Sequence, residues 1–501
     1  MTPLVTSLTL PSLPLAVLQI WLTPLWLLSV GVTLGLLLAL VVYGVLWVVN
    51  RTAADQVQRA IGESVLMPAL YLGGAMAAFA VFASPQMPVE EVIASLRRLP
   101  SAGELTETIT LDPRSEDVEL TLSLVGEEIN RYEINSSEDV RVAAEPGAAF
   151  SAPFAVVQGD EPYLWNTKSK LARGLRGQVD TVYLTNEGDA PAEVTLTFNS
   201  EVRTPEVRQT PVAALTVLGI LVAYVLLGWL APNVANIATA TSKEAIGQPM
   251  FLLFVVCGAI ALFCFIYIPY NTFGEDVKML KDSGLSTIMV LAILFAVWTA
   301  SVSIADEIEG KTALTLLSKP ISRRQFIIGK YVGIMWAVLL MFLLLGAVFL
   351  ATISYKVVYD ARETSNPTPD WQACNEVMIG AAPGLVLSFF EAATLAAVSV
   401  AISTRLPMLP NLVICGAVYA IGHLTPQIVK SSVGNNEFVE FFARLVAVVL
   451  PVLDNYKIEG AIAAGLPVPA EYLWWALLYT LVYIVIALLF ALTLFEDRDM
   501  A

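Results

Sequence analysis

Few side chains in this sequence stand where chemistry would require them. Glu309-Gly310-Lys311-Thr312 closes like a phosphate-binding loop, whose pattern is Gly, four residues, then Gly-Lys followed by Ser or Thr. Such a loop works because backbone amides cradle phosphate oxygens. Here position 305 is alanine, no strand leads in, and Asp306, Glu307 and Glu309 stand where amides should meet an anion. The segment is therefore read as charged but not nucleotide-binding. The second candidate is Glu391, in the middle of the apolar run Ile379 to Ile402. An acidic side chain at the centre of a membrane helix costs roughly 2.5–3.5 kcal/mol, so it must face a cavity, a partner or another helix. At helical spacing it shares a side with Gly384, Ser388, Ala392, Leu395 and Ser399. That side suits a polar substrate path or proton site, and equally a paired or neutral glutamate that joins two helices. The single histidine, His423, lies beside Pro426 and is read first as an interfacial residue, second as a partner of Glu391. The four cysteines are scattered, three of them in apolar runs, with neither metal spacing nor a disulfide framework. Cys257 and Cys264 are read as packing residues. One histidine excludes most His-metal and Ser-His-Asp chemistry by count. No catalytic residue, cofactor or metal site is expected on this chain.

The elements around the charged segment are clearer than its chemistry. Ala305 to Lys330 lies between two uncharged apolar runs, Ser286 to Ser303 and Tyr331 to Ser354. Crossing a bilayer takes about 20 helical residues, so both runs are read as spans and the segment must lie at a membrane face. Lys311, Lys319, Arg323, Arg324 and Lys330 are the densest positive cluster in any short loop, which places the segment on the cytoplasmic side. Asp306 to Leu317 reads as a short helix that Lys319-Pro320 ends, and Ser322 as the N-cap of the next. Glu307 and Lys311 are at the i, i+4 spacing of a local ion pair.

This layout resembles the first cytoplasmic loop of type-2 ABC transporter permeases. The residues that carry the likeness are Glu307, Glu309, Gly310, Thr312, Leu316, Leu317, Pro320, Ile321, Ser322, Arg323, Gly329 and Lys330, with Lys311 interrupting the family's Gly-Thr pair. The resemblance implies that 305–330 forms a coupling helix docking on a separate ABC ATPase subunit, which binds ATP and Mg. It also implies that two permease subunits pair, as a homodimer or a heterodimer. The likeness covers Asn233 to Met500. It implies an interface helix at Asn233 to Gln248 and a cytoplasmic ending at the tail FEDRDM.

Composition agrees with a membrane protein. Hydrophobic residues make up 56% of the chain and charged residues 14%, against about 25% charged in soluble domains. The formal charge of −16 is concentrated between Pro85 and Thr210, where 22 Asp and Glu stand against 11 Lys and Arg. An acidic, water-facing segment repels nucleic acid, so no DNA or RNA partner follows. Val118, Leu120, Leu122 and Leu124 alternate with polar residues, as do Val182 and Leu184, then Val194, Leu196 and Phe198. These predict strands, with a hairpin turning at Asn186 to Pro191 and a sandwich as the overall form. Val89, Val92, Ile93, Leu96 and Leu99 predict a short amphipathic helix before them.

Met1 to Asn50 holds no charged side chain, and Leu22 to Val49 is long enough to span. Arg51 and Arg59 follow it, which predicts an outside N-terminus and no signal peptide. Further spans are expected at Val65 to Ser84, Val212 to Ala231 and Met250 to Ile268, besides the two that flank the charged segment. Three more are expected at Ile379 to Ile402, Leu412 to Val429 (interrupted by Pro426) and Tyr472 to Leu494. Lys356 to Glu376 is placed on the outer side, and Phe441 to Leu453, too short to cross, is read as re-entrant or interfacial.

The sequence thus predicts a polytopic α-helical membrane protein of about nine spans, with a β-rich extracytoplasmic domain between the second and third. The expected division is 1–84 (two spans), 85–210 (outer domain), 211–232 (third span) and 233–501 (permease core). The expected function is the permease subunit of an ATP-driven transporter in the plasma membrane, in contact with lipid, and an exporter in direction. Two other readings stay open: a mechanical or scaffolding protein acting through the outer domain, and a gradient-driven carrier using Glu391.

Overall fold

Backbone N–H and C=O groups surrounded by hydrocarbon must satisfy one another, and a helix does so within one segment. The computed structural model describes residues 15–62, 65–159, 161–167, 175–268, 276–305, 307, 321–432, 441, 444, 445 and 447–496. Among them, nine helices are long and apolar enough to cross a membrane. α1 (Leu15–Val49), the amphipathic α2 (Arg51–Gly62) and α3 (Met67–Ala83) precede a β-rich unit that opens with α4 (Val89–Arg98). Then come α5 (Gln209–Leu230), α6 (Pro232–Gly247), α7 (Pro249–Tyr267), and α8 (Asp276–Ala300), which runs on into a π-helical turn, Ser301–Ala305. α9 (Arg323–Glu363), α10 (Trp371–Ile379), α11 (Ala382–Ser403), α12 (Met408–Ser432), the five-residue α13 (Glu459–Ala463) and α14 (Ala470–Glu496) complete the order. The chain separates into two compact units, Pro88–Gln209 and the remainder.

Within the membrane unit, α8, α9 and α11 form the interior, while α1, α3, α5, α7, α12 and α14 turn apolar faces outward. α9 starts where the predicted Ser322 cap places it and runs past the predicted end of its span at Ser354. Its 41 residues make a rod of about 60 Å, twice the hydrocarbon thickness, so it must project from the bilayer. It starts at a capping box: Gln325 N–H donates to Ser322 Oγ at 3.2 Å, and Ser322 N–H donates to Gln325 Oε1 at 3.1 Å. Ser322→Ala is expected to cost about 1 kcal/mol, read as a lower midpoint of thermal unfolding in detergent, with Ser322→Asp retaining the wild-type value.

α6 packs along the first turns of α9 because Gly329 and Gly333 leave room for its backbone. A Cβ at Gly333 would stand 2.7 Å from Ala238 O and from Thr241 Cβ, and one at Gly329 2.7 Å from Ile237 Cβ. α12 runs unbroken through Pro426, where an interruption is predicted. Proline removes only one donor from the helix, and the Thr425 hydroxyl adds a bond to Ile421 O at 2.7 Å in the turn beside it.

The β-rich unit contains β1 (Gly103–Leu111), β2 (Val118–Val125), β3 (Ile129–Ser136), β4 (Val140–Ala143), β5 (Ala155–Val157), β6 (Tyr163–Asn166), β7 (Gln178–Asn186) and β8 (Ala192–Ser200). They pair antiparallel in two four-stranded sheets, ordered β1-β8-β3-β6 and β2-β7-β4-β5. The predicted hairpin is therefore wrong: β7 and β8 belong to different sheets. Asn186 organises the crossing, its Nδ2 donating to Asp112 O at 3.0 Å and to Ala190 O at 2.9 Å. Val182 and Leu184 of one sheet meet Val194, Leu196 and Phe198 of the other in a single dry core. Each strand alternates as expected, but both inner faces carry the same alternation, so periodicity cannot tell a hairpin from a crossing. The amphipathic α4 buries Val92, while Ile93, predicted on its apolar side, is exposed.

Candidate functional site

The interior face of α11 is a row of polar side chains at successive helical turns. Ser388, Glu391, Ser399 and Ser403 are all buried. The row can lie inside the unit because small residues let helices approach: a Cβ at Gly384 would stand 2.6 Å from Leu285 and 2.8 Å from Ile462.

Glu391 is 2% exposed, and its Oε1 lies 2.8 Å from His423 Nε2 of α12. His423 is thus the partner of Glu391, where the sequence favoured an interfacial role. Its ring meets Tyr419 edge-on at 4.7 Å, and among the described residues its buried Nδ1 has no hydrogen-bond partner. The two side chains thus pair across the contact between α11 and α12.

One turn further on, Thr394 Oγ1 lies 3.1 Å from Tyr456 Oη, which lies 2.7 Å from Thr480 Oγ1 of α14. Burial pushes the Tyr456 phenol up to about 12, so it stays a hydroxyl donor. Near the other end of α11, Asn411 Nδ2 is 2.8 Å from Ser301 Oγ, 2.9 Å from Ser399 Oγ and 2.8 Å from Ser403 Oγ. Two amide hydrogens thus serve three hydroxyls. Cys415 Sγ donates to Asn411 Oδ1 at 3.2 Å. This node joins α11 and α12 to the π-helical turn that ends α8. Sequence reading missed it: Asn411 precedes the predicted span at Leu412, and Tyr456 falls in a predicted loop.

The charged segment begins at that turn. Glu307 Oε1 and Lys330 Nζ form an ion pair at 2.5 Å, with Lys330 buried in α9 and its ammonium 5.7 Å from the Phe326 ring. Arg323 Nη1 donates to Glu496 O at 3.1 Å, and Phe326 stacks on Phe495, so α9 starts against the end of α14. Ser322, Arg323, Lys330 and Glu307 are thereby placed. Glu309, Gly310, Thr312, Leu317 and Pro320 lie outside the described residues, as does most of the predicted short helix.

At the opposite end of α9, Lys356 is 1% exposed inside the unit. Its Nζ donates to Ile266 O at 2.9 Å and lies 2.8 Å from Asp360 and 3.8 Å from Asp276. Asp276, Asp360 and Glu363 bring ligand oxygens within 4.8 Å of one another, with the Lys356 ammonium against two of them as counter-charge.

Among known families, residues 207–500 match the family described as ABC-2 family transporter protein, which is more than half of the chain. No curated protein matches it.

Proposed function

Since the chain belongs to the ABC-2 family of transporter proteins, we propose that it is the permease subunit of an ABC exporter, driven by a separate ATPase subunit that docks on residues 305–330. The observation that carries this reading is mechanical. The segment's two ends are the two interior helices: Glu307 follows the end of α8, Lys330 sits in α9, and their ion pair clamps the ends together. A push on the segment therefore reaches the Ser301–Asn411 node within two turns of helix, and through it α11 and α12. Transmission of this kind needs rigid elements with discrete packings, which buried helices provide. ATP and Mg belong to the partner chain. On this reading the face bearing Arg51, Arg59, Arg323, Arg324 and Lys330 is cytoplasmic, the 88–209 unit is extracytoplasmic, and the membrane is the plasma membrane. A second permease subunit, identical or not, completes the transporter.

The test is affinity co-purification from native membranes, wild type against Glu307→Arg combined with Pro320→Ala. An ATPase subunit should accompany the wild type and be lost from the folded variant. Absence of any ATPase from the folded wild type would sink the reading. The Glu391–His423 pair supports a second reading, a gradient-driven carrier. That reading requires activity in vesicles without an ATPase and its loss in Glu391→Gln.

A further inference from the structure

We propose that the open cavity between α2, α5 and α6 binds an anionic phospholipid, with its phosphate between Arg59 and Lys243. The cavity holds about 820 Å³, enough for a phosphoglycerol headgroup and the start of its chains. Its position is that of a lipid headgroup. α5 ends beside it with Trp229 and Leu230 turned outward, 47% and 82% exposed, as at a membrane boundary. Behind them, Tyr224 and Trp336 meet edge-on at 5.1 Å and form an aromatic wall.

The lining is selective in charge. Arg59 of α2 and Lys243 of α6 both face the cavity, and none of its lining residues is acidic. Among the described residues, neither cation has an ion-pair partner. Trp336 Nε1–H, also in the lining, is buried and has no acceptor among the described residues. Two unpaired cations and an unused donor around one cavity are complementary to a phosphodiester, which brings a negative charge and several acceptor oxygens. The outward-facing Val222 and Leu226 of α5 offer an apolar track by which acyl chains leave toward the bilayer. A basic pocket between helices at a membrane face is a recognised way of holding lipid headgroups. This site is independent of the ATPase-coupling reading.

Native mass spectrometry of the full chain in detergent tests it. Phosphatidylglycerol is compared with phosphatidylcholine of the same chains, on the wild type, Arg59→Gln/Lys243→Gln and Lys243→Arg. The wild type and Lys243→Arg should retain phosphatidylglycerol over phosphatidylcholine, and the double variant should lose roughly tenfold or more of that binding. Lys243→Gln alone, a change on an exposed side chain, should give an intermediate loss and serves if the double variant does not fold. Inorganic phosphate at millimolar concentration should leave the lipid adduct intact. Displacement by inorganic phosphate would make this a site for soluble phosphate and overturn the lipid assignment. Equal retention of both lipids, or unchanged retention by folded variants, would reduce the binding to ordinary annular contact and overturn it as well.

Discussion

His423→Leu is expected to destabilise the membrane unit by about 3–5 kcal/mol, the usual cost of removing one partner from a buried pair. Glu391 is 2% exposed, deep in α11, and leucine offers its carboxylate nothing in place of His423 Nε2 at 2.8 Å. The carboxylate must then be protonated or drag water into the helix contact. Replacing both residues, Glu391→Leu with His423→Leu, should recover most of the loss, because an apolar pair has no desolvation cost to offset. Thermal unfolding of the detergent-solubilised single and double variants measures this. Additive losses would mean that the two side chains do not act as a pair. Glu391→Gln separates stability from transport: it keeps the shape and a hydrogen bond to the ring but removes the titratable group. If the pair only joins α11 to α12, ATP-driven transport should survive the change.

The second large effect is expected at the other end of α9. Lys356→Met should cost about 3–5 kcal/mol, because a buried ammonium is removed from between the Ile266 carbonyl and two carboxylates. Asp276, Asp360 and Glu363 would then face one another within 4.8 Å without their cation. Like charges so close repel one another, so the loss should be relieved when one of the carboxylates is replaced by a neutral side chain. Asp360→Asn in the Lys356→Met background should recover part of it at neutral pH. The melting temperature of each variant is the measurement. An equal loss with and without Asp360→Asn would mean that Lys356 matters for the packing of its stem alone.

What could be read from the chain follows the range of the physics. Membrane insertion is set by local hydropathy, so the spans could be read in order, and the resemblance seen in 305–330 pointed to the family that residues 207–500 match. Strand alternation is local too, hence two faces and a dry core in the β-rich unit. Its hairpin was misread because Asn186 reaches Asp112, 74 residues away, and sends β8 into the other sheet. The burial of Lys356 was hidden for a similar reason. A lysine near the end of an apolar run normally reaches for water, and the Ile266 carbonyl, Asp360 and Asp276 hold this one inside.

The sequence alone determined that this is a multi-pass membrane protein with an acidic water-facing insert, and that a carboxylate at Glu391 required an explanation. Solvent transfer decides such things residue by residue. Tertiary structure decided which polar groups satisfy one another: His423 for Glu391, Lys330 for Glu307, and Asn411 for Ser301, Ser399 and Ser403. Those partners lie 8 to 110 residues apart in the chain. Hydrogen bonds and ion pairs depend on distance in space, which helix packing sets and spacing along the chain does not.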